Sequence, residues 1–450
     1  MGSIQPKYSE MHKWESYAAD LMIEYRQCVE EGKDVKQYED LFKAIYAMPA
    51  GEEKTRMADV LFDVVTKAGQ VEGYAYEEPS DLEGIFAQRP ECGFGKGKPD
   101  ADKLADKIHG AWLGRVCGCM LGKPIEGIRT NELHPLLKDS GNWPMHRYIL
   151  SSDITDEIQA RSKYPLKGSC WVDTVECMPA DDDTNYMVLA QVVVEKYGRD
   201  FKPEDMMQAW LDYQPKGAYC TAERTAFCNF VKGFRPPESA IWQNPYREWI
   251  GAQIRGDYFG YINPGDPETA AVMAWRDASI SHIKNGIYGE MFASAMIAAA
   301  AVESDIEKVL LAGLAQIPQK SRLYEAVMDV INDWKSGMTA DDCMAKIHRI
   351  WNENEGHDWC HTISNAMIVA AALLYGEGDY GKTICLAVQT GFDTDCNGAT
   401  VGSVVGMIGG TAAIGKEWSD PINDMLDTNI FGVGRVKISE MAKKTMDHMA

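Results

Sequence analysis

Two short runs of aspartate are the residues of this sequence most suited to chemistry. They are Asp181, Asp182 and Asp183, followed by an apolar run with helical spacing, and Asp393 and Asp395, followed by a second helical segment. One aspartate can cap a helix, but three in succession repel one another and exceed what a cap can use. Hard divalent cations such as Mg²⁺ and Mn²⁺ relieve that repulsion and prefer carboxylate oxygens. The runs therefore predict a site for one or two metal ions, with helix capping as the alternative.

Two rows of glycine recur with a spacing of four residues, and one of them follows the second aspartate run. They are Gly110, Gly114, Gly118 and Gly122, and Gly398, Gly402, Gly406 and Gly410. This spacing keeps each row near one face of a helix. Glycine destabilises a helix interior by about 1 kcal/mol relative to alanine, so close packing between helices is expected to offset that cost. The alternative is chance, since the sequence contains 40 glycines.

The pattern of apolar residues divides the chain into three regions. Residues 1–75 are charged and have helical periodicity, which predicts a helical N-terminal extension. Residues 76–100 combine glycine, proline and charge with little periodicity, as in a linker or wrapping arm. Residues 101–450 are rich in Ala, Met and Gly in helical registers, and alternating strand patterns are nearly absent. This predicts an all-α fold with one compact multi-helix domain after the extension.

Composition and charge exclude several classes of protein and of binding partner. A formal charge of -22 argues against sequence-independent binding to nucleic acid, which requires a basic face. The twelve cysteines lack the paired spacing of a zinc site, and reduced, mostly buried thiols are expected. The first twenty residues have no apolar signal-peptide core, and no apolar stretch is long enough to span a membrane. We expect a soluble cytoplasmic protein with a small-molecule or modified-protein substrate, and an oligomer is possible.

Three motifs resemble the ADP-ribosylglycohydrolase family, whose members include dinitrogenase reductase-activating glycohydrolases. The sequence GAWLGRVCGCMLGKPIE at residues 110–126 is similar to the opening helix of that family. Asp182-Asp183-Thr184 resembles its first metal motif, and GFDTDCNGA at residues 391–399 resembles its second. The motifs have the same order and a similarly long separation, and the resemblance covers roughly residues 101–415. It implies an all-helical catalytic domain, here residues 101–450, with a two-metal centre.

Transferred position by position, the resemblance implies metal ligands and a catalytic carboxylate. The implied ligands are Asp182, Asp183, Asp393 and Asp395. Glu126 would gate the centre or manage a proton, and Asp183 would share this catalytic role. The expected cofactor is Mg²⁺ or Mn²⁺, as one or two ions.

Two positions depart from the family pattern. Asp181 stands where a threonine ligand is usual, and we retain it as a metal ligand because a carboxylate also offers oxygen. Cys396 stands where another threonine hydroxyl is expected, and a thiol is a poor partner for Mg²⁺. These departures leave open whether one or two ions bind.

The resemblance implies hydrolysis of a ribosyl or ADP-ribosyl N- or O-glycosidic bond by metal-activated water. The transition state would be oxocarbenium-like, as in glycoside hydrolysis generally. One alternative is a hydrolase for a smaller nucleoside-like or ribosylated metabolite, suggested by the two departures and the N-terminal region. Another is a catalytically silent member of the fold with a binding or structural role.

Polar residues elsewhere are weaker candidates for substrate binding. Asn263 and Gly265 lie in a glycine–proline loop that could line a cleft, or could be an ordinary turn. His282 precedes an Ala-rich helical run, where a buried structural histidine is the alternative. His357 and Asp358 mark a polar helix start and are expected to contact substrate or to support residues that do.

Overall fold

The computed structural model describes residue 4 and residues 6–449. Within these residues helices dominate, and the strands are limited to one antiparallel pair, β1 (Met425–Leu426) and β2 (Val436–Lys437). The prediction of an all-α fold is therefore confirmed. No helix in the described part of the chain is long and apolar enough to cross a membrane.

Three helices lie in the predicted N-terminal extension and a fourth lies in the predicted arm. The first three enclose an apolar cluster of their own that includes Leu21, Phe42 and Val65. The domain boundaries set by sequence composition stay a prediction. The four helices are α1 (Leu21–Glu30), α2 (Glu39–Tyr46), α3 (Glu52–Thr66) and α4 (Leu82–Gln88).

Nearly all of the remaining helices contribute to one continuous apolar core. Two Ala-rich helices, α14 and α19, are buried along almost their whole length and lie near its centre. The helices are α5 (Ala101–Gly122), α6 (Thr130–Asp139), α7 (Asp156–Arg161), α8 (Asp182–Tyr197), α9 (Pro203–Tyr213), α10 (Thr221–Val231), α11 (Glu238–Ile241), α12 (Asp257–Tyr261), α13 (Pro267–Ala278), α14 (Lys284–Ala300), α15 (Ile306–Leu314), α16 (Arg322–Lys335), α17 (Ala340–Ile350), α18 (Gly356–Cys360), α19 (Thr362–Gly376), α20 (Tyr380–Gln389), α21 (Thr394–Gly409), α22 (Lys416–Ser419) and α23 (Ile438–Met446).

The two glycine rows face each other where α5 packs against α21. A Cβ atom added to Gly118 would lie 2.1 Å from the carbonyl oxygen of Gly398, and one added to Gly114 would lie 2.3 Å from that of Gly402. Distances this short are not tolerated between a side chain and a backbone. The glycines therefore let the two helix backbones touch, as the four-residue spacing indicates.

Replacing Gly402 by alanine is expected to destabilise the protein. The new Cβ would lie 2.3 Å from the Gly114 carbonyl oxygen, so the two helices must separate. Overpacking costs about 1–3 kcal/mol, which outweighs the roughly 1 kcal/mol gained from the higher helix propensity of alanine. Urea unfolding checks this, with Gly217→Ala as control because nothing lies within 4 Å of its Cβ position. A Gly402→Ala variant as stable as the control would contradict the close contact.

Buried ion pairs join the N-terminal helices to the larger body. The Arg247 guanidinium contacts Glu24 at 2.8 Å and Glu31 at 2.6 Å, and all three side chains are at most 3% exposed. Tyr246 donates a hydrogen bond of 2.5 Å to Asp20. Because these charges are shielded from water, their partners cannot be removed without leaving an uncompensated buried charge.

Arg247→Met is expected to lower the free energy of unfolding by about 3–5 kcal/mol, since it removes the cation paired with Glu24 and leaves Glu31 with Lys284, at 3.1 Å, as its cation. Lys382→Met is the matched control. Lys382 pairs with Glu377 at 2.7 Å, but both side chains are largely exposed, and such pairs contribute about 0–1 kcal/mol. Thermal and denaturant unfolding of both variants measure the difference. Equal losses of unfolding free energy in the two variants would show that the Arg247 ion pairs do not stabilise the contact between the N-terminal helices and the larger body.

Candidate metal centre

Three helix ends converge where α5 meets α21. The Cβ position of Gly122, the last residue of α5, lies within 2.4 Å of backbone atoms of Thr394 and Asp395 at the start of α21. The Thr394 hydroxyl also donates to the Gly122 carbonyl at 2.9 Å. Arg115, on α5, donates from Nε to the carbonyl of Asp183 at 3.0 Å. This hydrogen bond holds the start of α8 against α5. Both predicted aspartate runs therefore meet beside the end of α5.

Two groups of potential metal ligands form at this junction. In one, atoms of Glu126, Asp393 and Asp395 lie within 4.8 Å of one another. In the other, atoms of Asp183, Asp395 and Cys396 do so. Asp395 belongs to both groups and lies between them. The arrangement could hold two cations that share one carboxylate.

Two carboxylate oxygens in these groups have no hydrogen-bond partner, although both are buried. They are Oδ2 of Asp183 and Oδ1 of Asp395, whose residues are 0% and 3% exposed. An unpartnered buried carboxylate oxygen is costly, and a bound cation would satisfy it. The donors present therefore fit a divalent cation that prefers oxygen ligands.

Burial and mutual repulsion shift the pKa values of these acids. Burial, and then the charge of Asp181, raise the pKa of Asp395 to about 6. Burial followed by the charge of Asp395 raises the pKa of Asp393 well above its usual range. Glu126 has an exposed side chain, and its pKa is raised chiefly by the charge of Asp395. Proximity to other carboxylates thus opposes ionisation at each of these positions.

Arg115 neutralises part of this charge from inside the core. Its side chain is fully buried, with Nη2 at 2.9 Å from Asp183 Oδ1 and Nη1 at 2.6 Å from Asp257 Oδ2. It also donates to the carbonyl of Ile254. Arg115 therefore fixes one oxygen of Asp183 and leaves the other free. An arginine within a buried glycine row is a sequence signal for such an ion pair.

Both carboxylate oxygens of Asp181 already accept hydrogen bonds from other groups of the protein. Asp181 is the N-cap of α8, and its Oδ1 accepts from the backbone N–H of Asp183 at 2.9 Å. Its Oδ2 accepts from Lys123 Nζ at 2.6 Å. Burial alone would raise the pKa of Asp181, but the Lys123 ammonium holds it below its usual value. A third group of potential metal ligands contains Cys119, Asp181 and Asp183. Both oxygens of Asp181 in it already accept hydrogen bonds.

Asp182 is the first residue of α8 and is partly exposed. It belongs to none of the ligand groups that the described residues form, whereas Asp183 belongs to two. Burial and the charges of Asp181 and Asp395 raise the pKa of Asp182, so it lies in the same electrostatic field. Metal ligation by Asp181 and Asp182 stays a prediction.

Residues of α18 and α19 support the second aspartate run. The side-chain oxygen of Asn365 accepts from the Asp393 backbone N–H at 3.3 Å and from the Asn397 amide at 2.8 Å. The Cys360 thiol lies 4.0 Å from Asp393 Oδ2. The sequence alone does not connect Asn365 to Asp393. No local signal indicates that contact.

An aromatic and cationic surface adjoins the centre. The Trp359 indole N–H donates to the carbonyl of Phe392, the residue before Asp393. The Arg129 guanidinium lies 4.7 Å from the centre of the Trp359 ring, and its buried Nη1 has no hydrogen-bond partner. Trp14, from the N-terminal region, packs in the same apolar cluster as Trp359. Sequence reasoning missed Arg129, although it lies three residues after Glu126.

His357 and His361 face Glu30, with ligand atoms of all three within 4.8 Å. The Trp249 indole N–H can only donate, so His357 Nδ1 accepts from it at 3.1 Å. The Ile363 backbone N–H likewise donates to His361 Nδ1 at 3.1 Å. Each neutral ring therefore carries its proton on Nε2, the nitrogen that faces Glu30. Because a ligating Nε2 must be unprotonated, these hydrogen bonds oppose metal binding here.

The remaining predicted substrate residues lie away from the carboxylate groups or are held by other parts of the protein. Asp358 forms an ion pair with Arg26 of α1 and accepts from the Asn352 backbone N–H. His282 is fully buried, and its Nδ1 bonds to the Ser281 hydroxyl at 2.8 Å. Burial and then the charge of Arg255 hold the pKa of His282 well below its usual value. These positions give no support to the predicted substrate contacts of Asp358, His282 and His357. Those contacts stay a prediction.

The loop with Asn263 and Gly265 packs against the arm. Asn263 donates to the Phe259 carbonyl at 2.8 Å and accepts from Arg199. Gly265 has a φ of +76°, and a Cβ there would lie 2.1 Å from the Gly97 carbonyl oxygen. The polar groups of this loop thus bond to the protein itself, and substrate contact by Asn263 and Gly265 stays a prediction.

Residues 100–449 match the family model described as ADP-ribosylglycohydrolase. The chain belongs to the ADP-ribosylglycohydrolase family. Membership supports a glycohydrolase-type enzyme acting on a glycosidic bond. A solved structure described as an ADP-ribosylglycohydrolase-related protein complex is 17% identical, with a TM-score of 0.49, and the match covers 78% of this chain and 100% of that one. No curated protein sequence matches the chain significantly.

Asp395→Asn is expected to remove the stabilisation that a cation gives the protein. With chelator present, the variant should melt no lower than the original protein, because one of several repelling carboxylates is gone. Mn²⁺ at about 100 times its Kd should stabilise the original protein by about 2.7 kcal/mol but leave the variant unchanged. Thermal melts with and without Mn²⁺ measure both effects.

Asp305→Asn is the control for this comparison, because Asp305 caps α15 far along the chain from both aspartate runs. It should respond to Mn²⁺ as the original protein does. An equal response to Mn²⁺ in Asp395→Asn would rule out Asp395 as a ligand.

Proposed function

We propose that this member of the family is a divalent-metal-dependent hydrolase of a ribosyl or ADP-ribosyl N- or O-glycosidic bond. The observation that carries the proposal is the pair of buried, unpartnered oxygens on Asp183 and Asp395 within two adjoining ligand groups. Asp183, Asp393 and Asp395 would hold one or two Mg²⁺ or Mn²⁺ ions, with Glu126 at the exposed side. A bound divalent cation supplies positive charge that orients a ribose diol and makes water a better nucleophile.

The residues of the chain would each have a distinct role in this reaction. Asp183, held by Arg115, would keep a fixed oxygen towards the cation. Asp395 would bridge the two positions. Glu126 has the only exposed carboxyl group of its ligand group, so its Oε atoms would exchange a proton with water or with the leaving group.

An ADP-ribosyl substrate is favoured over a plain nucleoside by the surface next to the centre. The protein has a formal charge of -22, so a diphosphate needs a local cation. Arg129 offers a buried guanidinium nitrogen without a partner, beside the Trp359 ring. A guanidinium next to an aromatic face suits a phosphate and an attached ring system. The smaller nucleoside-like substrate stays the second candidate, supported by the replacement of an expected threonine by Cys396.

A panel hydrolysis assay tests the proposal. ADP-ribosyl-arginine, ADP-ribosyl-serine, free ADP-ribose derivatives and simple nucleosides are incubated with the protein in chelator, Mg²⁺ or Mn²⁺. We expect metal-dependent release of ribose or ADP-ribose from at least one ADP-ribosyl substrate. Turnover of nucleosides alone would favour the second candidate. No turnover with any metal, together with no metal bound in calorimetry, would identify a catalytically silent member of the fold.

Glu126→Gln separates catalysis from metal binding in the same assay. Loss of a general acid or base lowers kcat by about 10²–10⁴-fold. Metal affinity should change far less, because Asp393 and Asp395 remain. Calorimetry with Mn²⁺ provides the second readout. Full activity in Glu126→Gln would remove its assigned proton-transfer role.

A further inference from the structure

Cys396 occupies an unusual position for a buried thiol. Its Sγ and oxygens of Asp183 and Asp395 lie within 4.8 Å of one another, at the start of α21. Both acids keep one buried oxygen without a partner. Among the described residues no hydrogen bond to the Cys396 thiol is found. An ordinary buried cysteine packs as a small apolar group, and two carboxylates are poor neighbours for that role.

We propose that Cys396 binds a metal ion as a thiolate, so that the inner ion position has mixed oxygen and sulfur ligands. This position then selects cations that accept sulfur, such as Zn²⁺, Co²⁺ or Fe²⁺, over Mg²⁺. The inference rests on the metal centre of the proposed function but not on its substrate. On binding, the thiol releases its proton to solvent and the sulfur forms a bond to the cation.

The ligand types of the two positions differ. Asp183, Asp395 and Cys396 provide two oxygens and a sulfur at the buried position. Glu126, Asp393 and Asp395 provide only oxygen at the exposed one. Thiolates favour Zn²⁺ and related transition-metal ions, whereas carboxylates alone suit Mg²⁺ and Mn²⁺. The centre is therefore expected to bind two kinds of cation with different preference, joined by Asp395.

A second thiol, Cys119, is close to Asp183 but is a weaker candidate. Its ligand group is completed by Asp181, whose two oxygens already accept from Lys123 and from the Asp183 backbone N–H. A cation there would have to displace the Lys123 ammonium. Cys396 shares its group with two acids that each keep an oxygen free, so it is the thiol assigned as a ligand.

Co²⁺ titration of the intact protein tests this assignment. The protein is stripped with chelator and kept reduced and free of oxygen, and Co²⁺ alone is then added while the absorption spectrum is recorded. We expect a near-ultraviolet thiolate-to-Co²⁺ charge-transfer band that Zn²⁺ abolishes and that a roughly 100-fold excess of Mg²⁺ does not. Cys396→Ser should lose the band and bind Co²⁺ at least about tenfold more weakly. X-ray absorption of the Zn²⁺-loaded original protein should show a sulfur at about 2.3 Å.

Cys385→Ser is the matched control, because Cys385 is equally buried but belongs to none of the ligand groups in the described chain. It should keep the band. A band that persists in Cys396→Ser and disappears in Cys119→Ser would overturn the assignment to Cys396. Should Cys396→Ser fail to fold, the X-ray absorption measurement alone decides, and absence of sulfur there overturns the proposal.

Failure of this inference and failure of the proposed function give different results. Hydrolysis with Mg²⁺ or Mn²⁺ but no charge-transfer band and no sulfur ligand would refute only the thiolate. A charge-transfer band without hydrolysis of any substrate would refute only the proposed reaction. Absence of bound Co²⁺, Zn²⁺ and Mn²⁺ would refute both.

Discussion

Backbone contact between α5 and α21 is the constraint on which the metal centre depends. Helices separated by ordinary side chains lie about 8–10 Å apart. Here glycines bring the carbonyl of Gly398 to 2.1 Å from where a Gly118 side chain would begin. The same approach places the end of α5 against the start of α21, so that Glu126, shortly after the end of α5, and Asp395, in the first turn of α21, enter one ligand group. A wider separation would leave these carboxylates too far apart to share a cation.

Charge at the centre is only partly neutralised by the protein. Arg115 and Lys123 each pair with one aspartate of the two runs, at 2.9 Å from Asp183 and 2.6 Å from Asp181. The unpartnered oxygens of Asp183 and Asp395 remain. A protein with only a structural role would gain stability from asparagine at position 395, because repulsion between the carboxylates would fall without loss of volume. Buried carboxylates that repel one another in this way are typical of functional sites.

Much of this centre could be predicted from sequence because its signals are local. The glycine spacing predicted close helix packing, and the family resemblance implied that Glu126, Asp183, Asp393 and Asp395 belong to one centre. What could not be predicted depends on contacts between distant residues. His357 meets Glu30 across 327 positions, a contact that no local pattern indicates. Nothing near Asp181 in the sequence shows that its carboxylate forms an ion pair with Lys123.

The same long-range contacts connect the region before residue 100, outside the family match, to the metal centre. Glu30, on α1, accepts from His357 at 3.0 Å and faces His361, the N-cap of α19. One turn further along α19, Asn365 accepts from the backbone N–H of Asp393. Through these contacts α1 and the second aspartate run are both held by the segment formed by α18 and α19. The N-terminal helices are therefore part of the structure that sets the position of Asp393.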